Sequence, residues 1–227
     1  LKLSKFLHEW LSNYIHSLLG DLIKLTKYKI SNQYLRGLLF QLYENNGVIK
    51  RNKVKQIVKL IPKDERKKLW GMGVKIGRYH IYLPKMLKPK AVSFRVSLWK
   101  MYHNLKKENQ IPKSGLNFLT NIRFDKDFLL ICGFENFKEF FVRIDILEKL
   151  FLKILDNTKN KKFTVNSEMM NLLGCSKENF YKLMNYMNYK KDKSIDTYIF
   201  KGEKKKREKI IRFDKKENPF NKLLSLN

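Results

Sequence analysis

Basic and aromatic residues alternate in one stretch of the sequence, and this pattern suits contact with a nucleic acid. Its polar and charged members are Lys75, Arg78, His80, Tyr82, Lys85, Lys88, Lys90 and Arg95. Lysine and arginine neutralise phosphates, and an aromatic ring stacks on a base with a gain of about 1–3 kcal/mol. Strand-like alternation would place Tyr79, Ile81 and Leu83 in the core. Arg78, His80 and Tyr82 would then form the exposed face.

A second basic group surrounds a helix predicted at residues 176–187. Its candidate contacts are Lys177, Tyr181, Lys182, Lys190 and Lys191. Ser176 is a suitable N-cap for this helix, and Glu178 follows in the first turn. A solvated helix face explains the same residues equally well, so both interpretations stay open for this group.

Motifs for catalysis and for metal binding are absent from the sequence. It contains no G-x-x-x-x-G-K-[ST] phosphate loop, since no glycine is followed by lysine. Asp64-Glu65-Arg66 is best interpreted as the first turn of a helix, where the helix dipole interacts favourably with acidic side chains. The four histidines lack cysteine or carboxylate partners at zinc-binding spacing. We therefore predict no catalytic residue, no metal site and no cofactor within this segment.

The composition requires a partner that tolerates a high positive charge. The 227 residues include 49 Lys+Arg against 21 Asp+Glu, a formal net charge of +28, and 43% of them are hydrophobic, enough for a folded core. Such a charge favours binding to a polyanion, with DNA or RNA first and an anionic membrane surface second. The abundance of Lys, Asn, Ile and Phe also indicates an AT-rich coding sequence, which accounts for part of the lysine content.

The cysteine content and the hydropathy pattern predict a cytoplasmic location. Cys132 and Cys175 lie far apart without metal-ligand spacing, which suits a reducing compartment. No apolar run reaches the roughly 18 residues that a membrane-spanning helix needs. The first residue is Leu1 rather than methionine, so we expect the chain to be a fragment of a longer protein.

Helical and strand patterns occur in the same order in both halves of the chain. The first half has an amphipathic helix at 3–25, followed by the order helix, strand, helix, helix, hairpin, at 32–45, 48–49, 51–60, 62–70 and 74–83. The second half repeats this order at 144–156, 163–165, 167–173, 176–187 and 189–200. This order is typical of winged-helix modules, in which the third helix or the wing meets nucleic acid.

The predicted fold is therefore mainly α with short β-hairpins, an α+β fold containing two winged-helix-like modules in tandem. The first module covers residues 1–107, including a helix at 91–107, and a polar linker covers 108–127. The second module covers 128–200 and begins with a hairpin formed by 128–134 and 137–142. A basic tail at 201–227 is expected to be disordered without a partner.

Several segments resemble the C-terminal region of alphaproteobacterial superfamily-two helicases, which are similar to the mitochondrial RNA degradosome helicase. The segments are Leu35–Leu42, Gly73–Pro84, Leu87–Pro89, Leu98-Trp99, Val142–Asp145, Glu168–Met170, Leu173–Ser176 and Asn218–Leu223. The resemblance implies a parent enzyme that unwinds nucleic acid with ATP and Mg²⁺, and whose motor domains precede Leu1. No catalytic residue is carried over, because these segments lie outside the motor.

Three functions follow as hypotheses. The first is the nucleic-acid-binding C-terminal region of an ATP-dependent RNA or DNA helicase, whose upstream motor domains are its partners in the same chain. The second is a stand-alone basic RNA- or DNA-binding protein without ATPase activity. The third, a membrane-surface or protein-interaction module using helix 3–25, is the least favoured because that helix has few exposed bases.

Overall fold

A computed structural model describes residues 2–103, 110–120, 125–192 and 196–200. Within these ranges the chain is mainly helical and carries three small antiparallel sheets, as expected for an α+β fold. The basic tail predicted at 201–227 lies outside the described residues.

The first helix, α1 (Lys2–Lys27), is two residues longer at its C-terminus than predicted. Its C-terminal half packs against the next helix through Leu19, Leu22 and Leu25, which are all buried. The three-residue spacing of these leucines places them on one side of the helix, so this half of the helix is held by the core.

The first unit (residues 33–82) follows with the predicted order of elements. Its elements are α2 (Gln33–Glu44), β1 (Val48–Lys50), α3 (Lys55–Leu60), α4 (Lys63–Gly71), β2 (Lys75–Ile76) and β3 (His80–Tyr82). Asn32 caps α2, since its side-chain oxygen accepts the N–H groups of Tyr34 and Leu35. The strands lie in the order β1–β3–β2, and α2 supplies four buried leucines to the core beneath them.

A middle unit (residues 89–143) was not predicted as a separate sheet. A 3₁₀ turn at Pro84–Leu87 leads into α5 (Pro89–Tyr102), β4 (Phe118–Thr120), α6 (Lys126–Ile131), β5 (Phe134–Phe137) and β6 (Phe140–Arg143). The strand order is β4–β6–β5. The predicted linker at 108–127 therefore contains a paired strand, with Leu119 opposite Phe141.

The hairpin predicted at 128–134 and 137–142 is wrong in its first strand. Residues 126–131 are helical, because Asp125 caps the N–H of Asp127 and the spacing of Phe128, Leu129 and Cys132 buries one helix face. The observed hairpin instead joins β5 to β6.

The last unit (residues 144–200) matches the predicted elements closely. It contains α7 (Ile144–Asp156), β7 (Thr158–Lys159), β8 (Lys162–Thr164), α8 (Ser167–Leu173), α9 (Lys177–Tyr186), β9 (Tyr189–Lys191) and β10 (Thr197–Phe200). Asn166 and Ser176 cap α8 and α9 through their side-chain oxygens. Gly174 ends α8 with a φ of 69°, a left-handed conformation that favours glycine.

The three sheets share one plan. In each, the last strand of the unit lies between the two strands that precede it, and β7 extends the edge of the last sheet. The units also share a core, because Phe140 and Val142 of the middle unit pack with the last unit. Val48, Tyr82 and Ile144 form a smaller cluster that joins the first unit to α7.

Candidate nucleic-acid interface

The first predicted surface is divided between solvent and the protein interior. Lys75, Lys85, Lys88 and Lys90 are exposed, and Arg78 is half-buried. His80, Tyr82 and Arg95 are buried, with only 1% of His80 exposed. The expectation that His80 and Tyr82 lie on an outer face is therefore wrong, and Arg95 is also inaccessible to a ligand.

The burial of β3 follows from its central position. Its neighbours β1 and β2 cover both edges, while Ile81 faces the core of the first unit. The opposite face of β3 meets other units, where Tyr82 packs with Ile144 and His80 contacts Glu135. A strand covered on both faces does not alternate between core and solvent.

The turn between β2 and β3 is occupied by a carboxylate from α7. Glu148 accepts the backbone N–H groups of Arg78, Tyr79 and His80 at 2.5, 2.8 and 2.8 Å. A Cβ atom at position 77 would overlap this carboxylate, so the close approach requires Gly77. The tip of the first unit's hairpin is thus bound by protein and is not available as a wing for nucleic acid.

A network of charged side chains continues from this turn into the middle unit. Nε2 of His80 lies 2.7 Å from Glu135, which also accepts a hydrogen bond from Nζ of Lys50 at 2.6 Å. Burial opposes protonation of His80, but hydrogen bonding with Glu135 and proximity to Glu148 raise the pKa of His80 above its ordinary value. Burial also disfavours ionised Glu135, yet His80 and Lys50 hold the pKa of Glu135 below its ordinary value.

The network of His80, Glu135 and Lys50 is expected to make the stability of the protein depend on pH. Because the pKa of His80 is raised, the contribution of this histidine to the free energy of unfolding is complete below about pH 6.5. That contribution is lost as pH rises through the raised pKa. Because the pKa of Glu135 is lowered, the contribution of this carboxylate to the free energy of unfolding is present above about pH 4.3. That contribution is lost as pH falls through the lowered pKa. We expect urea unfolding between about pH 6 and pH 9 to show a decline in stability that His80→Gln removes. The control variant His16→Gln, at an exposed site on α1, should retain the decline. If the decline also persisted in His80→Gln, His80 would not be its cause.

Arg95 joins the first and middle units through three carbonyl groups. Its guanidinium donates to the carbonyl oxygens of Asn46, Met86 and Ile131 at 2.7, 2.7 and 3.0 Å. Burial lowers the pKa of Arg95 to about 10. Its role is to satisfy buried backbone oxygens where two units meet, which excludes phosphate contact.

The residues of the second predicted group lie on α9 and β9 of the last unit. Phe180, Leu183 and Met184 face the core, which turns the opposite side of α9 to solvent. Lys177, Lys182, Lys190 and Lys191 are exposed, and Tyr181 is half-buried among them. Lys177 of α9 and Lys191 of β9 both lie beside Tyr181, so the helix and the strand each contribute a cation at this point.

Tyr181 lies in this group beside two cations. Nζ of Lys177 is 5.5 Å and Nζ of Lys191 is 5.2 Å from the centroid of its ring. The hydroxyl of Tyr181 donates to Asp196, which also pairs with Lys177 at 3.0 Å. These two donors hold the pKa of Asp196 below its ordinary value. Because Asp196 fixes the hydroxyl, the ring has a defined orientation between two positive charges.

Lys182 is partly neutralised on the same helix. Its Nζ lies 2.7 Å from Glu178, one turn earlier, and this pair is exposed. Exposed i, i+4 pairs contribute little to stability and exchange readily for other anions. Lys182 therefore remains accessible to a phosphate group.

Trp70 is a candidate contact that the sequence patterns did not single out. Its side chain is 78% exposed at the end of α4, although tryptophan is among the more buried residue types. Lys67 and Lys63 lie on the same face of the helix, one turn and two turns earlier respectively, and are also exposed. The available signal was Leu69: because it faces the core, the adjacent Trp70 must point away from it.

No family model matches this chain, and neither the curated proteins nor the solved structures include a significant match. Across the described ranges, no group of three or more His, Cys, Asp or Glu side chains is placed to bind a metal ion. No helix within those ranges is both long and apolar enough to cross a membrane.

Proposed function

We propose that this chain binds nucleic acid through the outer faces of α4 and α9 together with β9. The observation that carries the proposal is Tyr181, a partly buried ring whose centroid lies 5.5 Å from Nζ of Lys177 and 5.2 Å from Nζ of Lys191. An aromatic ring flanked by cations suits a base stacked beside its phosphates. The chain's net charge of +28 supports a polyanionic ligand.

The repetition of this arrangement supports the same proposal. In both the first and last units, the third helix of the unit carries an aromatic ring near exposed lysines: Trp70, which is 78% exposed, in α4, and the partly buried Tyr181 in α9. Both units place their last strand in the centre of the sheet. This order of elements suits tandem winged-helix modules, in which the third helix meets nucleic acid.

The segments that resemble helicases give this binding function a context. We propose that the chain is the C-terminal region of an ATP-dependent RNA or DNA helicase of the cytoplasm, guiding the strand that leaves upstream motor domains. ATP and Mg²⁺ would belong to those domains. A stand-alone RNA- or DNA-binding protein is the second candidate, and a phosphate loop encoded in the reading frame upstream of Leu1 distinguishes the two.

Binding is expected to depend on the two rings and on salt. Replacing Tyr181 or Trp70 with alanine should weaken binding of a labelled single strand by about 5-fold or more, since one stacked base contributes about 1–3 kcal/mol. Replacing Lys191 with alanine should reduce the slope of log K against log salt by about 0.7, the value for one phosphate contact on a single strand. Fluorescence anisotropy with RNA and DNA oligonucleotides measures both quantities.

Matched variants make this experiment specific. Tyr181→Phe retains the ring and should bind nearly as well as the original chain. Lys24→Ala removes the same charge as Lys191→Ala from an exposed site on α1, and it should leave the salt slope unchanged. Binding with no salt dependence, or equal losses at Lys24 and Lys191, would contradict the proposed interface.

A further inference from the structure

The N-terminal half of α1 carries a row of large apolar side chains exposed to solvent. This apolar stripe consists of Leu3, Phe6, Leu7, Trp10, Leu11 and Tyr14, with exposed fractions from 41% for Tyr14 to 70% for Leu3. The rings of Trp10 and Tyr14 stack at 5.4 Å, so part of the stripe is already ordered. A helix that extends from the body with an apolar face requires a covering surface to be stable in water.

The charge distribution around the stripe favours a neutral, apolar partner. The polar side chains Lys5, His8 and Glu9 lie on the opposite face of the helix, as the 100° rotation per residue requires. Ser4 and Asn13, which flank the stripe, are uncharged. Residues 2–17 thus form a nearly neutral segment of a strongly basic chain, which disfavours both nucleic acid and anionic lipid as the occupant.

We infer that the occupant is a second copy of this chain, paired antiparallel along α1. The stripe has the same pattern in both directions about the midpoint between His8 and Glu9. Reversal exchanges Leu3 with Tyr14, Phe6 with Leu11, and Leu7 with Trp10, so every apolar position faces another apolar position. A two-fold interface requires this self-complementarity, because each copy presents the same patch to the other.

The area and the charge of the molecule suit this arrangement. From the exposed fractions, the six side chains offer on the order of 600 Å² per copy, near the ~800 Å² per partner of a standard interface. Tyr14 packs against Phe94 of α5, so the body begins there, and antiparallel pairing places the two basic bodies at opposite ends of the helix pair, roughly 16 Å apart at 1.5 Å per residue. That separation exceeds the Debye length of about 8 Å at physiological salt, so the bodies repel only weakly.

Sedimentation velocity of the chain without nucleic acid, across a range of concentrations, tests the inference. We expect a reversible monomer–dimer equilibrium that Leu7→Glu and Leu11→Glu each abolish. His8→Glu places the same charge on the opposite face of α1 and should leave the dimer intact. Circular dichroism confirms folding of each variant, because neither Leu7 nor Leu11 belongs to the buried core.

Disulfide crosslinking tests the direction of pairing. In a background without Cys132 and Cys175, a Leu3→Cys chain mixed with a Tyr14→Cys chain should form a mixed disulfide, in preference to either chain with itself. Preferential self-crosslinking of Leu3→Cys would overturn the antiparallel arrangement. A chain that stays monomeric at every concentration, including one that sediments with anionic vesicles, would overturn the dimer while leaving the nucleic-acid proposal unaffected.

Discussion

Replacing Glu148 with alanine is expected to lower the free energy of unfolding by about 3–5 kcal/mol. The carboxylate accepts the backbone N–H groups of Arg78, Tyr79 and His80, and its removal leaves these donors without their acceptor. An unsatisfied buried donor costs about 1–3 kcal/mol. Urea unfolding followed by circular dichroism measures the loss.

Two further variants isolate this effect from a general loss of charge. Glu168→Ala removes an exposed carboxylate that pairs with Lys153, and we expect little change in the free energy of unfolding. Gly77→Ala should destabilise strongly in the original chain, because its methyl group overlaps the Glu148 carboxylate. Combined with Glu148→Ala, it should cost much less than the sum of the two changes. Additive effects would show that the turn and the carboxylate are energetically independent.

Replacing Arg95 with methionine is the second large effect, again with an expected loss of about 3–5 kcal/mol. The guanidinium donates hydrogen bonds to the carbonyl oxygens of Asn46, Met86 and Ile131. A methionine side chain has no donor to replace these hydrogen bonds. The volume of the side chain is largely retained, so the loss reports the hydrogen bonds rather than a cavity. Chemical unfolding at neutral pH gives the value.

Arg66→Met is the matched control for Arg95→Met. Arg66 donates to the carbonyl oxygen of Ile61 at 2.9 Å but is only partly buried, so water can replace it. We expect its loss to be less than half that of Arg95→Met. Similar losses for the two variants would show that Arg95 does not join the first and middle units in the way we describe.

Local patterns predicted most helices of the first and last units, since their caps and apolar spacing are contained in the segments themselves. Asn32 and Ser176 each cap the helix that the sequence indicated. The middle unit was missed because β4 has three residues and follows a polar stretch typical of a linker. The helical region at 128–131 was mistaken for a strand because a short apolar run fits either structure.

Contacts between distant segments were the part that local patterns could not supply. His80 and Tyr82 were placed on an outer face because alternation assumes that one side of a strand meets water. Here that side meets Glu135 and Ile144, more than fifty residues later in the chain. The solvent-facing side of α9 follows from the amphipathic pattern of that one helix, whose buried residues are Phe180, Leu183 and Met184.

The central position of each unit's last strand has a consequence for synthesis on the ribosome. β1 and β2 have no direct pairing in the sheet and are bridged only by β3, and the same holds for β8 and β9 with β10. A nascent chain that ends before the bridging strand therefore cannot join β1 to β2, or β8 to β9, and in the last unit only the β7–β8 pair is able to form. Each sheet is completed only when the last strand of its unit leaves the ribosome. The three sheets are therefore completed one after another during translation, from the N-terminus onward.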